Sequence, residues 1–309
     1  MMAGAPSRAI RRCVYNVRRD ASCPTRPSAG RGTNLHRRTG RRFVGVNIPK
    51  LKIATMSVNR KNKMLSLAET LDAAEELLPR FRAIVHQLKY ENRGVCNTEM
   101  FFIYATVAAL RPQRILESGR ARGQSTFVLA ECFPAAQVIS VEFDATSADA
   151  SFAEARLKDR PNVTCLFGDS RELLPQQLQE GDVVVIDGPK GFRALRLAFN
   201  LLRTGRPSVV FLHDFAAPTA ERRFLERNLA DTFFSDHPDF TGRYALLEGK
   251  VDAATLRWAV FACIPGGRNR PYRFLLWKLS FVRAVVLAPQ KISDFLARLV
   301  LGRNAVASR

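Results

Sequence analysis

"RILESGRARGQST", residues 114–126, is the stretch on which the reading of this chain turns. A short apolar run stops at an acid, Glu117, and two glycines four apart, Gly119 and Gly123, lead into polar residues and an apolar helix. Glycines at such a turn let backbone approach a ligand closely or adopt positive φ. They do not name the ligand. That has to come from the segments on either side.

Four further apolar runs follow: "AQVISVE" (136–142), "VTCLF" (163–167), "DVVVID" (182–187) and "SVVFLHD" (208–214). Helical segments at 124–132, about 147–159, 172–179 and 191–203 separate them. Strands spaced by helices, and apolar on both sides, predict a mostly parallel sheet covered on both faces. The expected fold is α/β, Rossmann-like and doubly wound. "AERRFLERNLADTFF" (220–234) reads as a further helix, and "GRYALLEG" (242–249) with "TLRWAVFACI" (255–264) as a C-terminal antiparallel strand pair closing one edge. Upstream, Leu67, Leu71, Ala74, Leu77 and Leu78 form one helical stripe. A second helix is expected after an N-cap at Asn97, ending at Pro112.

In an open α/β sheet, ligands bind beyond the carboxyl ends of the strands. Those ends hold Glu117 with Gly119 and Gly123, then Glu142, Asp169–Ser170, Asp187, and His213–Asp214. Each presents an acid. A P-loop is excluded, because Gly119 to Gly123 is one residue short and Gln124 stands where lysine is needed. The dinucleotide fingerprint is missing too, with Arg120 and Arg122 filling the intervening positions. A row of carboxylates suits a cationic, phosphate-free nucleoside. Glu142 would take ribose hydroxyls, Asp169 the adenine amino group, and Glu117 or Asp187 an amino-acid ammonium. S-adenosylmethionine carries all of these groups.

Over roughly 95–263 these stations resemble the class I S-adenosylmethionine-dependent methyltransferase superfamily. "ILESGRARGQST" is similar to the E-x-G-x-x-x-G-x-S form of its first motif, more typical of small-molecule O-methyltransferases. The nearest resemblances are to catechol-type enzymes and to bacterial enzymes that modify small molecules and sugars. The resemblance implies a cofactor site built from Glu117, Ser118, Gly119, Gly123, Ser125, Glu142, Asp169, Ser170 and Asp187. In the catechol type, an Asp at the fourth strand end and an Asp–Asn pair at the fifth bind a divalent metal, and a nearby Lys is the base. Asp187, Asp214 and Lys190 stand at the matching places, but Phe215 replaces the Asn and removes one oxygen ligand. Mg²⁺ on Asp187 and Asp214 is therefore an open expectation.

An alcohol acceptor must lose a proton, for which a group near neutrality suits best. His213 is the first candidate, oriented by Asp214, and Lys190 the second. The bland alternatives are a structural histidine at a strand end and a solvated lysine at a helix start. Arg120 and Arg122 would meet a cofactor or acceptor carboxylate, or else stay at the surface.

The net charge of +20 is confined to the ends. Residues 1–64 carry a net of +15 and 250–309 a net of +9, whereas 65–249 sum to −4. Basic ends point to polyanion or membrane-surface contact, not to specific reading of nucleic-acid bases. Hydrophobic content of 47% excludes wholesale disorder. Six cysteines without a CxxC pair read as reduced thiols in a cytoplasmic compartment. No apolar run is long enough to span a bilayer.

The expected domains are 1–64, 65–263 and 264–309. The first is basic and lacks periodicity: a transit peptide, a disordered tail, or upstream sequence with Met56 or Met64 the true start, the last being preferred. Residues 268–309 read as basic amphipathic helices that lie on an anionic membrane or pack back on the protein. The resulting expectation is O-methylation of a hydroxyl on a small molecule, glycan or lipid-linked acceptor. The rivals are a non-catalytic cofactor-binding module tethered by basic ends, and an NAD-type oxidoreductase, which the glycine spacing contradicts.

Overall fold

Strands that are apolar on both sides need cover on both sides, and the chain provides it. The structure, a computed structural model, describes residues 65–88, 94–244, 259–267 and 270–286. Readings that concern residues 1–64 and 287–309 lie outside the described residues.

Five parallel strands form the body of the sheet: β1 (Arg114–Ser118), β2 (Gln137–Glu142), β3 (Val163–Phe167), β4 (Val183–Ile186) and β5 (Val209–Leu212). With β6 (Phe233–Phe234) and β7 (Ala262–Pro265) the order is β3-β2-β1-β4-β5-β7-β6. β7 runs antiparallel to both its neighbours. The direction of winding reverses at β1, which pairs with β2 on one side and β4 on the other. A crevice opens at the carboxyl ends beside such a reversal.

Residues alternate between two apolar layers, as the two-residue period of a strand demands. Ile115, Val183, Val185, Val209 and Phe211 face α1 (Leu67–Val85), α2 (Asn97–Val107) and α3 (Gln124–Cys132). Leu116, Val184, Ile186, Val210 and Leu212 face α6 (Phe192–Leu202), α7 (Ala220–Asn228) and a helix over 272–286, which joins this core through Tyr272, Leu275 and Leu279. The remaining helices are α4 (Ala148–Leu157), α5 (Ser170–Gln177) and α8 (Pro238–Tyr244).

All eleven residues of α2 are buried. Its Phe102 meets the rings of Phe211, Phe233 and Phe240 edge-on at 5.3 to 6.3 Å, a geometry aromatic pairs favour. α2 thus has no face left for water.

Two local readings need correction. Of "GRYALLEG", Gly242–Tyr244 end α8 and residues 245–249 lie outside the described residues; among the described residues the edge strand lies earlier in the chain. The strand is Phe233–Phe234, from the stretch read as the end of a helix. α7 stops at Asn228 because Leu229 leaves helical conformation (φ −138°), freeing the next residues to pair with Cys263 and Ala262. The second correction is small. Cys96, not Asn97, precedes the first turn of α2, and its N–H donates to Glu99 Oε2 at 2.9 Å. Among the described residues no helix is long and apolar enough to cross a membrane.

Candidate active site

β1 ends at Ser118, and the chain turns through Gly119 (φ 89°) to Gly123 (φ 76°). Both glycines occupy the left-handed region that side chains resist. A Cβ on Gly119 would lie 2.8 Å from Gly188 N and 3.0 Å from the Asp187 carbonyl carbon. The turn after β1 therefore rests directly on the turn after β4. Asp187 N–H and Gly188 N–H both donate to Ser118 O, at 2.8 and 3.1 Å. Ser118 Oγ and Ser170 Oγ both donate to Gly188 O, the latter at 3.2 Å. From β2, Glu142 accepts Ala121 N–H (2.7 Å) and Phe143 N–H (2.8 Å). Four strand ends are thereby fastened together. Gly123 has a packing role, since a Cβ there would meet Ala153 and Leu157 of α4 at 3.1 to 3.3 Å.

The predicted cofactor acids fare differently. Glu142 lies on the glycine turn, as just described. Glu117 is 1% exposed and turns into the layer beneath that turn, where Thr126 and Ser140 hydroxyls donate to Oε2 at 2.5 and 2.6 Å. Burial raises its pKa against the opposing pull of Ser125, Ser140, Thr126 and Arg120. Its other oxygen, Oε1, is buried as well. Asp169 caps α5 by accepting Arg171 N–H at 2.9 Å and pairs with the Arg171 side chain, whose hydrogen bond lowers its pKa. Arg120 is neither on the surface nor free for a ligand. It is buried, donates to Ser140 O (2.7 Å), and lies 4.7 Å from the centre of the Phe167 ring. Arg122 stacks on Phe152 at 3.8 Å.

The predicted catalytic residues do come together. Lys190 Nζ bonds Asp187 and sits 2.7 Å from Asp214 Oδ2. His213 Nδ1 is 2.5 Å from Asp187 Oδ1 and 3.2 Å from Asp214 Oδ1. Its Nε2 is 2.9 Å from Glu99 Oε1. Burial by itself would lower the pKa of His213, but Glu99 and Asp187 outweigh it and lift the imidazole to about 10. Burial likewise opposes ionisation of Asp187, yet His213 and Lys190 hold its carboxyl at about 2. Lys190 is raised by Asp187 and Asp214 in spite of burial. Two cations thus face three carboxylates, a formal charge of one negative. Asp214 adopts φ 65°, a left-handed conformation rare outside glycine, at the end of β5.

Glu99 was missed from sequence. An acid at the third position of a helix reads as a cap, and it does bond Cys96 N–H; nothing local announces that its other oxygen meets His213. Phe143, 71% exposed beside Glu142, was passed over as well.

Asp187, His213 and Asp214 offer ligand atoms within 4.8 Å of one another. A hard divalent ion such as Mg²⁺ demands near-octahedral oxygen ligation. Here the Lys190 ammonium already bridges the two carboxylates, and His213 Nδ1 carries a proton. Phe215 is fully buried and contributes no oxygen. A divalent ion on Asp187 and Asp214 would have to displace the Lys190 ammonium, and no step is assigned to one.

An open sheet with this strand order and an antiparallel β7, carrying a glycine turn after β1 and acids at the strand ends, has the architecture of the class I S-adenosylmethionine-dependent methyltransferase fold. Within it, residues 116–215 match the family described as a methyltransferase domain. No curated protein matches the chain in sequence. Among solved structures, it is similar to the O-methyltransferase TomG of Streptomyces achromogenes in complex with S-adenosylmethionine, at 17% identity and a TM-score of 0.39, over 66% of this chain and 97% of that one. It is also similar to an O-methyltransferase of Bacillus cereus in complex with S-adenosylhomocysteine, at 20% identity and a TM-score of 0.39, over 63% and 90%.

Proposed function

We propose that the chain binds S-adenosylmethionine across the carboxyl edge of the sheet and transfers its methyl group to a hydroxyl oxygen. One observation carries the reading. The cluster of Glu99, Asp187, Lys190, His213 and Asp214, one negative charge in excess, stands directly against the glycine turn through the Gly119–Gly188 contact. Such a surplus favours a ligand bearing a positive sulfonium.

The cofactor's features find partners of the right chemistry. Glu117, buried directly beneath the glycine turn, supplies negative charge for the amino-acid ammonium. Glu142 would exchange its amide bonds for the ribose hydroxyls, and the exposed ring of Phe143 gives adenine a face to stack on. Ser118, Ser125, Asp169 and Ser170 complete the cradle by holding the turns in place. When bound, the cofactor supplies an electrophilic methyl carbon.

What the chain's own residues do follows from their charge. His213 and Lys190 hold their protons at neutral pH; both His213 N–H groups are taken by Glu99 and Asp187, so Lys190 is the cationic donor to the acceptor and the imidazolium holds Asp187 beside it. The Lys190 ammonium beside a hydroxyl lowers its pKa, so that its proton passes to water, and the oxyanion left behind is stabilised by the same ammonium. This favours an acidic hydroxyl, phenolic or enolic, over an aliphatic alcohol. A small-molecule acceptor fits best; a glycan- or lipid-linked hydroxyl would need the same acidity. Residues 65–263 are proposed as the catalytic domain. A non-catalytic module would have no use for the charged cluster.

Calorimetric titration with S-adenosylhomocysteine tests the cofactor. Glu142→Ala is expected to weaken binding about tenfold, equivalent to about 1.4 kcal/mol; absence of binding by the wild type would overturn the reading. Labelled-methyl transfer to paired phenolic and aliphatic alcohols tests the acceptor. The same assay should proceed undiminished in excess chelator. A loss restored by Mg²⁺ would show that a metal displaces Lys190 after all.

A further inference from the structure

We propose that the helix over 272–286 docks this protein on an anionic lipid bilayer. The helix is apolar on two opposite faces. One is spent on folding: Tyr272, Leu275 and Leu279 are buried in the core against α6, with Tyr272 5.9 Å from the ring of Phe199. The other has no partner among the described residues. Phe274, Trp277, Phe281 and Val285, spaced by three, four and four residues, line up on it at 56%, 66%, 63% and 57% exposure. Four large apolar side chains in one exposed row are uncommon on a soluble surface and mark a contact site.

The charges say which contact. At 100° per residue, Arg273 and Lys278 fall on the two borders of the exposed row. Residues 259–286 contain no Asp or Glu. Aromatic residues flanked by cations suit the headgroup boundary, where rings enter the acyl region and long basic side chains reach back to phosphate. A second copy of the chain suits this face poorly, since self-pairing would bring Arg273 and Lys278 against their own kind with no acid to answer them.

The platform is also firm. Arg270 pairs with Asp231, and Lys278 Nζ donates to Asn228 Oδ1 at 2.7 Å, tying the helix to the end of α7 and the loop after it. Arg273 enters no ion pair among the described residues, leaving it available to lipid phosphate. The contact is independent of the methyl-donor reading.

The test uses the full chain with Trp258→Phe, which leaves Trp277 as the sole tryptophan. Vesicles of phosphatidylcholine and phosphatidylglycerol at 70:30 should carry the protein down on sedimentation and shift Trp277 emission to the blue, whereas pure phosphatidylcholine should do so at least tenfold less. In the otherwise unaltered chain, Phe274→Ser/Trp277→Ser/Phe281→Ser should lose at least tenfold in partition with an unchanged melting temperature, since all three positions are exposed. Three results would overturn the proposal. One is sedimentation with vesicles while Trp277 emission stays put, which would assign binding to the basic residues 1–64. The second is equal partition by the triple variant. The third is a triple variant that changes oligomeric state and not partition, making the face an interface between copies.

Discussion

Replacing Asp187 by asparagine is expected to slow methyl transfer at least about 100-fold while preserving the shape of the side chain. The size follows from what the carboxylate holds. It is the shared partner of His213 Nδ1 and Lys190 Nζ, which lie only 3.1 Å apart. Without its charge the two cations repel each other and Lys190 loses its aim at the acceptor, a loss in the range usual for a group positioned at the reacting atoms. Removing one partner of a buried charge also destabilises, by about 3 kcal/mol, measurable by urea titration.

The pH dependence of stability checks the same network. The His213 pKa is raised in the folded state to about 10, so its contribution is complete below the unfolded value of about 6.5 and is lost as pH rises through 10. Asp187 is held at about 2, so its contribution is present above about 3.9 and is lost as pH falls through 2. The variant should therefore begin to lose stability at a less alkaline pH than the wild type. An identical alkaline limb in the two proteins would show that Asp187 does not hold the imidazolium.

Gly119→Ala is expected to cost about 3 kcal/mol of stability and to abolish cofactor binding. Part of the cost is conformational, because alanine at φ 89° is strained. The rest is the collision of the new Cβ with Gly188 N at 2.8 Å, a backbone atom that cannot step aside alone. Moving it drags Asp187 away from Lys190 and His213, so a substitution in the cofactor turn should also damage the charged cluster. Gly181→Ala supplies the comparison. Gly181 has φ 84° but nothing within 4 Å of a new Cβ, so that change should cost about 1 kcal/mol and leave cofactor affinity intact. Equal costs at the two positions would mean that the contact with Gly188 does not matter.

The parallel core was legible because burial on both faces writes strands as unbroken apolar runs, and "VVVI" and "VVFL" admit few other readings. The edge was not. β6 is two residues long, too short to show any period, and it follows a convincing amphipathic helix in the same stretch. For the site, the positions of the acids could be read and their directions could not. Glu117 shares the parity of Ile115 and so faces α3, while Asp169 is claimed by the arginine two residues on. The inward turn of Arg120 is a third case. Its sequence context looks polar and exposed, yet it satisfies a β2 carbonyl from below. Glu99 was the least accessible, since its partner His213 lies 114 positions away.

A helix without a wet side offers few places where change is free. Every residue of α2 is enclosed, and one of them supports the imidazole, so drift there is checked by packing before chemistry is reached. Attempts to redirect the enzyme to another acceptor should therefore leave α2 alone.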